Sequence, residues 1–421
     1  MASPYPQAQS QDVAAPVQAS EKDTPLKAEP PPLLAKLSYA AHIYSLQSFI
    51  SPYLWVRDWK EYFYPPEGGP NIIKRYEVRP YLPVRIFFPK SYDQTSPAVL
   101  PTLFTIHGGG FCIGHSRDDD EWNRRFANRH RTLVVALNYS KSPQYPFPTA
   151  LHDVEALLLA CLADESLPID RSSRRRGSTE LSRTAILGFS AGGNLALAAS
   201  QLPRVRGATP PLAAAVSVYG CLDLSVPAAE KLANRPVKPE LPPPRGGKDA
   251  GSDPLAGLAP TFDWSYIPYG HDLRDPLLSP AFAEGGSLPP FVGVVAAELD
   301  MLAHESWRLA CRLSREHGGR RRVPDRRSGD ERERVCGRRE VGRRRGALED
   351  INDQRFGWEE SWDGRARGVK WLLVPDVLHG FDNPHIRGLM GGDKMIKDAE
   401  MKTRAYVEEV GNWLRERVWG L

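Results

Sequence analysis

Residues 184–200 read TAILGFSAGGNLALAAS, and the fold turns on this stretch. Thr184–Phe189 is a short β-rich run, and the residues from Ala191 onward form an apolar, helix-forming run. Only Ser190 stands between them, so the chain must turn sharply there. Gly188, Gly192 and Gly193 leave room for such a turn, which lifts the Ser190 hydroxyl above the end of the sheet. The G-x-S-x-G spacing in this strand-to-helix context makes Ser190 the candidate nucleophile. The helix that follows aims its first backbone N–H groups, that of Ala191 among them, at the place where negative charge would develop.

Upstream, LFTIHGGGFCIGH (103–115) sets His107 and three glycines directly after another β-rich run. Consecutive glycines cost backbone entropy. They make sense where N–H groups must approach an oxyanion closely, which nominates Gly108, Gly109 and Gly110. A phosphate cradle is the competing use, but no GK[ST] follows. His107 itself suits an anchoring hydrogen bond better than proton transfer.

A serine nucleophile needs a base and an orienting carboxylate, here expected downstream in the order acid, then histidine. FVGVVAAELD (291–300) ends in Asp300, just past a strand, where sites of such sheets lie. Its rivals are Glu298, at the strand edge, and Glu305, inside the next helix. VKWLLVPDVLHGFDN (369–383) puts His379 in the loop after the last strand. Asp376 and Asp382 flank it too closely to orient it.

Eight β-rich runs (72–79, 84–88, 100–106, 132–138, 184–189, 213–220, 291–297 and 369–374) alternate with helical patterns at 119–130, 149–163, 190–201, 303–316 and 398–417. That alternation predicts an α/β fold with a mostly parallel eight-stranded sheet flanked by helices. The first two runs form an antiparallel hairpin ahead of it. Residues 1–32 are rich in Pro, Ala and Gln and read as a disordered leader. Residues 33–60 read as one or two amphipathic helices. The Trp and Tyr residues around 53–64 suit either an acyl pocket or core packing. Residues 225–285 and 318–367 are too long for simple connections, and the second reads as a disordered surface loop.

Charge adds little to this. The 55 Lys and Arg exceed the 51 Asp and Glu by four. The segment 312–345 alone holds 14 Arg against 6 acidic residues, which leaves the rest of the chain mildly acidic, 41 basic against 45 acidic. The Arg-rich run has no aromatics and is interleaved with acids, so it reads as a solvated loop rather than a nucleic-acid surface. The five cysteines are scattered without CxxC spacing, which fits reduced thiols and a cytoplasmic setting. No secretory signal is expected, because residues 1–20 show neither a basic n-region nor an apolar h-region, and no membrane span, because the most membrane-like stretch, 33–56, is broken by Lys36, His42, Gln47 and Pro52.

HGGGF (107–111), NYSKSPQYPFPTALHDV (138–154), GFSAGGN (188–194), DPLLSP (275–280), ELD (298–300) and LHGF (378–381) occur in that order. Together they resemble the hormone-sensitive-lipase-like esterases of the α/β-hydrolase fold, a group that includes arylacetamide-deacetylase-like enzymes. The resemblance covers about residues 72–417. It implies Ser190 as nucleophile, Asp300 as acid, His379 as base and an oxyanion hole from the glycines after His107 with the Ala191 amide. It further implies a small-molecule ester as substrate and no metal or organic cofactor. The domain plan that follows has cap helices at 33–71 and a catalytic domain at 72–421, with 225–285 completing the cap. Phe189 and Gln144 depart from the group, where Asp and Glu are common. A non-catalytic receptor on the same scaffold and an amide or lactone hydrolase are the alternatives. The sequence carries no signal of oligomeric state.

Overall fold

All eight β-rich runs form strands, buried on both faces in every case but the first, where Ile72 and Ile73 stay exposed. In order they are β1 (Ile72–Lys74), β2 (Val84–Phe87), β3 (Thr102–Ile106), β4 (Leu133–Leu137), β5 (Thr184–Phe189), β6 (Ala214–Val218) and β7 (Phe291–Ala297), followed by β8 (Gly357–Trp362) and β9 (Arg367–Val374). The computed structural model describes residues 25–171, 182–234, 253–318, 357–363, 366–388 and 392–421. One sheet contains all nine strands of the described residues, in the order β1-β2-β4-β3-β5-β6-β7-β9-β8. From β4 to β9 the pairing is parallel, while β2 and the edge strand β8 run antiparallel to their neighbours.

The sheet therefore has one strand more than the eight expected. The addition, GWEESW, lies inside 318–367, which was expected to be a loop throughout. Its pattern hides it, because the strand has a charged middle and only Trp358 is buried. Pairing supplies what the apolar signal lacks: Trp358 lies opposite Trp371 of β9, and Glu359 meets Arg417 at 2.7 Å. Charges on an edge strand also discourage pairing with other chains. The Arg-rich run between α8 and β8 lies outside the described residues.

Among the described residues ten α-helices accompany the strands: α1 (Leu33–Phe63), α2 (Asp120–His130), α3 (Thr149–Ala163), α4 (Ala191–Gln201) and α5 (Pro203–Arg206), then α6 (Ala228–Ala233), α7 (Pro254–Tyr266), α8 (Ala303–Gly318), α9 (Pro384–Arg387) and α10 (Asp393–Trp413). Side chains alternate across the sheet. On β4, Leu133, Val135 and Leu137 join α3, α4 and α8 in one core, whereas Val134 and Ala136 join α2 and α10 in the other. Helices thus cover both faces, as a parallel sheet requires.

At the N-terminus one expectation is narrowed and one changes. Residues 33–60 form part of a single helix that contains Pro52. The leader expected through residue 32 is tied down from Leu26, with the Ala28 amide donating to the His271 carbonyl at 2.9 Å and Lys27 bridging to Asp272. Residues 1–24 lie outside the described part. The Trp and Tyr residues around 53–64 take neither of the roles expected of them. Tyr53, Trp55, Trp59 and Tyr62 are all more than half exposed. Among the described residues no helix is long and apolar enough to cross a membrane.

Candidate active site

Because the central strands are parallel, their C-terminal ends share one edge of the sheet, and the functional candidates follow those ends. Ser190 follows β5 directly and has φ 53° and ψ −119°, a backbone conformation costly for a residue with a Cβ. The surrounding glycines show what holds it. A Cβ on Gly188 would sit 1.9 Å from the Gly192 carbonyl oxygen, and one on Gly192 would sit 2.2 Å from that of Ile106. Helix α4 is therefore pressed against β5 and β3 at its first turn. The Ser190 amide donates to the Val218 carbonyl at 3.0 Å. Asn194, one turn on, donates to the carbonyls of Cys221 and Leu278 at 2.7 and 2.8 Å, so the DPLLSP segment buttresses the same helix.

The glycine loop follows β3. A Cβ on Gly108 would approach the Ser190 Cβ to 3.2 Å, so the loop and the serine lie side by side. Gly109 and Gly110 have φ of 114° and 56°, which glycine adopts at little steric cost. None of the hydrogen bonds among the described residues uses the amides of Gly109, Gly110 or Ala191 as donors. His107 anchors the loop. Its Nδ1 bonds the Gly108 carbonyl at 2.6 Å, its ring stacks on Tyr139, and Lys141 Nζ lies 3.2 Å from its Nε2. Burial and the nearby Lys141 charge hold its pKa well below the usual histidine value. Burial also lowers Lys141 to about 7. Cys112, beside this loop, is a packed thiol that burial pushes up to about 11.

The other two candidates converge on Ser190. His379 Nε2 lies 2.9 Å from Ser190 Oγ, and His379 Nδ1 lies 2.7 Å from Asp300 Oδ2. Asp300 is fully buried, and its Oδ1 accepts the Leu302 amide at 3.0 Å. Burial opposes charge on His379, but the adjacent Asp300 carboxylate outweighs it and raises the pKa. The rival acids are engaged elsewhere. Glu298 accepts the Asp376 amide at 2.7 Å, Glu305 pairs with Lys231 at 2.7 Å, and Asp382 accepts the hydroxyls of Tyr219 and Tyr406. Phe189 is buried against Trp122, and Gln144 bonds Gln47 of α1 at 3.0 Å. A hydroxyl, an imidazole and a carboxylate in line are the parts of a proton relay that can activate a serine.

Sequence reading missed one neighbour of this relay. Asp253 caps α7, taking the Leu255 amide on Oδ1 at 3.0 Å and the Met301 amide on Oδ2 at 3.1 Å. It is buried, and burial together with the charge on Asp300 raises its pKa. Asp253 thus ties α7 to the loop that carries Asp300. It follows the Pro-rich stretch without any motif, so its role depends on a contact between residues distant in the chain.

A cleft with about 440 Å³ of empty space, counted out to its open mouth, reaches Ser190. Its walls are Phe111, Leu255, Ala259, Phe262, Met301 and Leu302, with Lys231 of α6 and Asp263 of α7 as the charged members. Helices α6 and α7, both from 225–285, supply much of the wall, whereas α1 supplies none of it. Among the described residues no three His, Cys, Asp or Glu side chains converge to hold a metal ion.

The family model of the alpha/beta hydrolase fold matches residues 103–324. Arylacetamide deacetylase from Oryctolagus cuniculus is 34% identical over 139 residues, 32% of this chain and 32% of that protein. Carboxylesterase NlhH from Mycobacterium tuberculosis is 30% identical over 224 residues, 52% and 61% of the two chains. The arylesterase of Saccharolobus solfataricus is 31% identical over 238 residues, 55% and 66%. The chain thus spans about a third of the deacetylase and just under two thirds of the two esterases. A hyperthermophilic esterase from Pyrobaculum calidifontis superposes with a TM-score of 0.57 at 17% identity, covering 93% of this chain and 100% of its own. That likeness concerns the fold alone.

Proposed function

The chain belongs to the alpha/beta hydrolase fold family, and from that membership we propose a serine hydrolase that cleaves carboxylic esters of small or medium hydrophobic substrates. The observation that carries this reading is the unbroken line from Ser190 Oγ through His379 to Asp300, at 2.9 and 2.7 Å. The esterases and the deacetylase among its relatives support the same reaction class.

In this reading His379 Nε2 takes the Ser190 proton as Oγ attacks the ester carbonyl. Asp300 holds the imidazole with Nδ1–H toward itself and stabilises the imidazolium that forms. The amides of Ala191 and of the glycines 108–110 receive the tetrahedral oxyanion, each such donor contributing about 3 kcal/mol in comparable sites. His379 then protonates the leaving alcohol, and water, deprotonated by the same imidazole, releases the acid and restores Ser190. Helices α6 and α7, with α1 packed on α7, act as a cap on the catalytic domain at 72–421. None of the four described cysteines is in a disulfide, which supports a reducing, cytoplasmic setting.

A series of p-nitrophenyl esters from acetate to laurate, with Ser190→Ala as control, tests the proposal. Turnover that falls off with long chains and vanishes in the control is expected. Background hydrolysis across the whole series would favour a receptor instead.

A further inference from the structure

The cleft wall facing Ser190 is apolar except where Lys231 and Asp263 enter it. Lys231 is buried on α6, and its ammonium pairs with Glu305 Oε2 at 2.7 Å. The second Glu305 oxygen accepts the amides of Leu222 and Asp223 at 2.6 and 3.2 Å, so Glu305 is fully engaged. That pair uses one of the three N–H donors of Lys231. Asp263 differs from Glu305. Among the described residues no side chain or amide donates to its carboxylate, and the only charge bearing on it is that of Lys231. Asp263 is partly buried on the cleft wall, and with the Lys231 charge acting on it and no donor of its own its carboxylate is open to a donor from a bound group.

The signs narrow the ligand. A substrate carboxylate would face both Asp263 and Glu305, and a substrate ammonium would face Lys231. A neutral group that donates to one and accepts from the other meets neither penalty. We propose that Asp263 and Lys231 form a recognition site for a substrate hydroxyl, whose O–H donates to Asp263 while its oxygen accepts from Lys231 Nζ. The preferred substrates are then hydroxylated esters rather than plain hydrocarbon ones. Sites built to bond a hydroxyl discriminate strongly against analogues lacking it, because their own polar groups are left unpaired. This inference rests on the esterase reading and specifies its substrate class.

Two matched pairs test it on the whole chain. p-Nitrophenyl 3-hydroxybutyrate against p-nitrophenyl butyrate places the hydroxyl on the acyl side. 3-Hydroxypropyl butyrate against propyl butyrate, followed by pH-stat, places it on the alcohol side. The readout is the ratio of kcat/KM within a pair, which cancels general damage to fold or triad. In one pair the wild type should favour the hydroxylated ester by about tenfold or more. Asp263→Leu should bring that ratio to near one, and the near-isosteric Asp263→Asn should lower it several-fold. A ratio near one in both pairs, or a preference untouched by either substitution, overturns the recognition site while leaving the esterase reading intact. No turnover of any of the four esters would overturn both.

Discussion

Asparagine at position 300 changes one atom and tests the proposed relay at its most buried member. Asp300 uses both oxygens, with Oδ1 on the Leu302 amide at 3.0 Å and Oδ2 on His379 Nδ1 at 2.7 Å. The Leu302 N–H can be met only by an acceptor, so in Asp300→Asn the amide oxygen stays there and the NH2 group faces His379. Nδ1 must then accept, which places the ring proton on Nε2, toward Ser190 Oγ. In that tautomer the imidazole cannot take the serine proton. The carboxylate charge that raises the His379 pKa is lost as well. An analogous tautomer reversal costs about 10⁴ in kcat, or about 5.4 kcal/mol of barrier. The assay is steady-state hydrolysis of p-nitrophenyl butyrate, with thermal melting to show that the variant is folded. Retention of kcat within about tenfold of wild type would refute the reasoning. The orienting acid would then have to be sought at Asp253 or Glu298.

The raised pKa of His379 sets the acid limb of the pH profile. Turnover requires the neutral ring, so kcat/KM should fall as pH drops through a midpoint above about 6.5, the unperturbed value. A midpoint below that would contradict the dominance of Asp300 over burial. The Asp253 charge also contributes to the raised pKa of His379. Asp253→Asn can still cap Leu255 through its amide oxygen but turns its NH2 toward the Met301 N–H, so the midpoint should move down together with a loss of about 1–3 kcal/mol in stability, whereas an unmoved limb would show that Asp253 is not coupled to the triad. Gly188→Ala would put a methyl 1.9 Å from a backbone oxygen, and the expected outcome is a loss of about 4 kcal/mol or more, read by denaturant titration. Gly257→Ala, inside α7 with nothing within 4 Å, should instead raise stability by about 0.5–1 kcal/mol, and a drop in Tm would show hidden crowding there.

What the sequence makes legible here is what is local. GFSAG declares its turn because strand, glycines and helix adjoin one another, and the burial of Phe189 and Ala191 follows from the same run. Asp300 and His379 are placed by the ends of β7 and β9, which apolar runs locate to within a few residues. What escapes depends on contacts between distant segments. β8 has a polar centre and exists by pairing with β9. Asp253 ties α7 to the Asp300 loop by meeting Met301, 48 residues on. Lys231 and Asp263 look like surface charges on short helices until the fold turns both into the cleft. Tyr53, Trp55, Trp59 and Tyr62 show the reverse case, since a pattern that promises burial ends in exposure where no partner surface among the described residues comes opposite it.

The manner in which α1 is attached has a consequence for how the molecule opens. Of its 31 residues only Ile43 is buried. The helix is held instead by polar clips: Gln47 donates to the Cys112 and Ser142 carbonyls at 2.8 Å, Glu61 pairs with Arg85, and Arg57 with Asp118. Little apolar surface is re-exposed when such an element detaches, so its local unfolding free energy lies far below that of the sheet. Its amides should exchange with solvent well ahead of those of β3 to β7. Helix α7 leans on α1 through Tyr39 against Trp264 and through Ile43 against Phe262. The wall of the cleft therefore rests on one of the least costly elements to detach, while the strands beneath Ser190 remain closed.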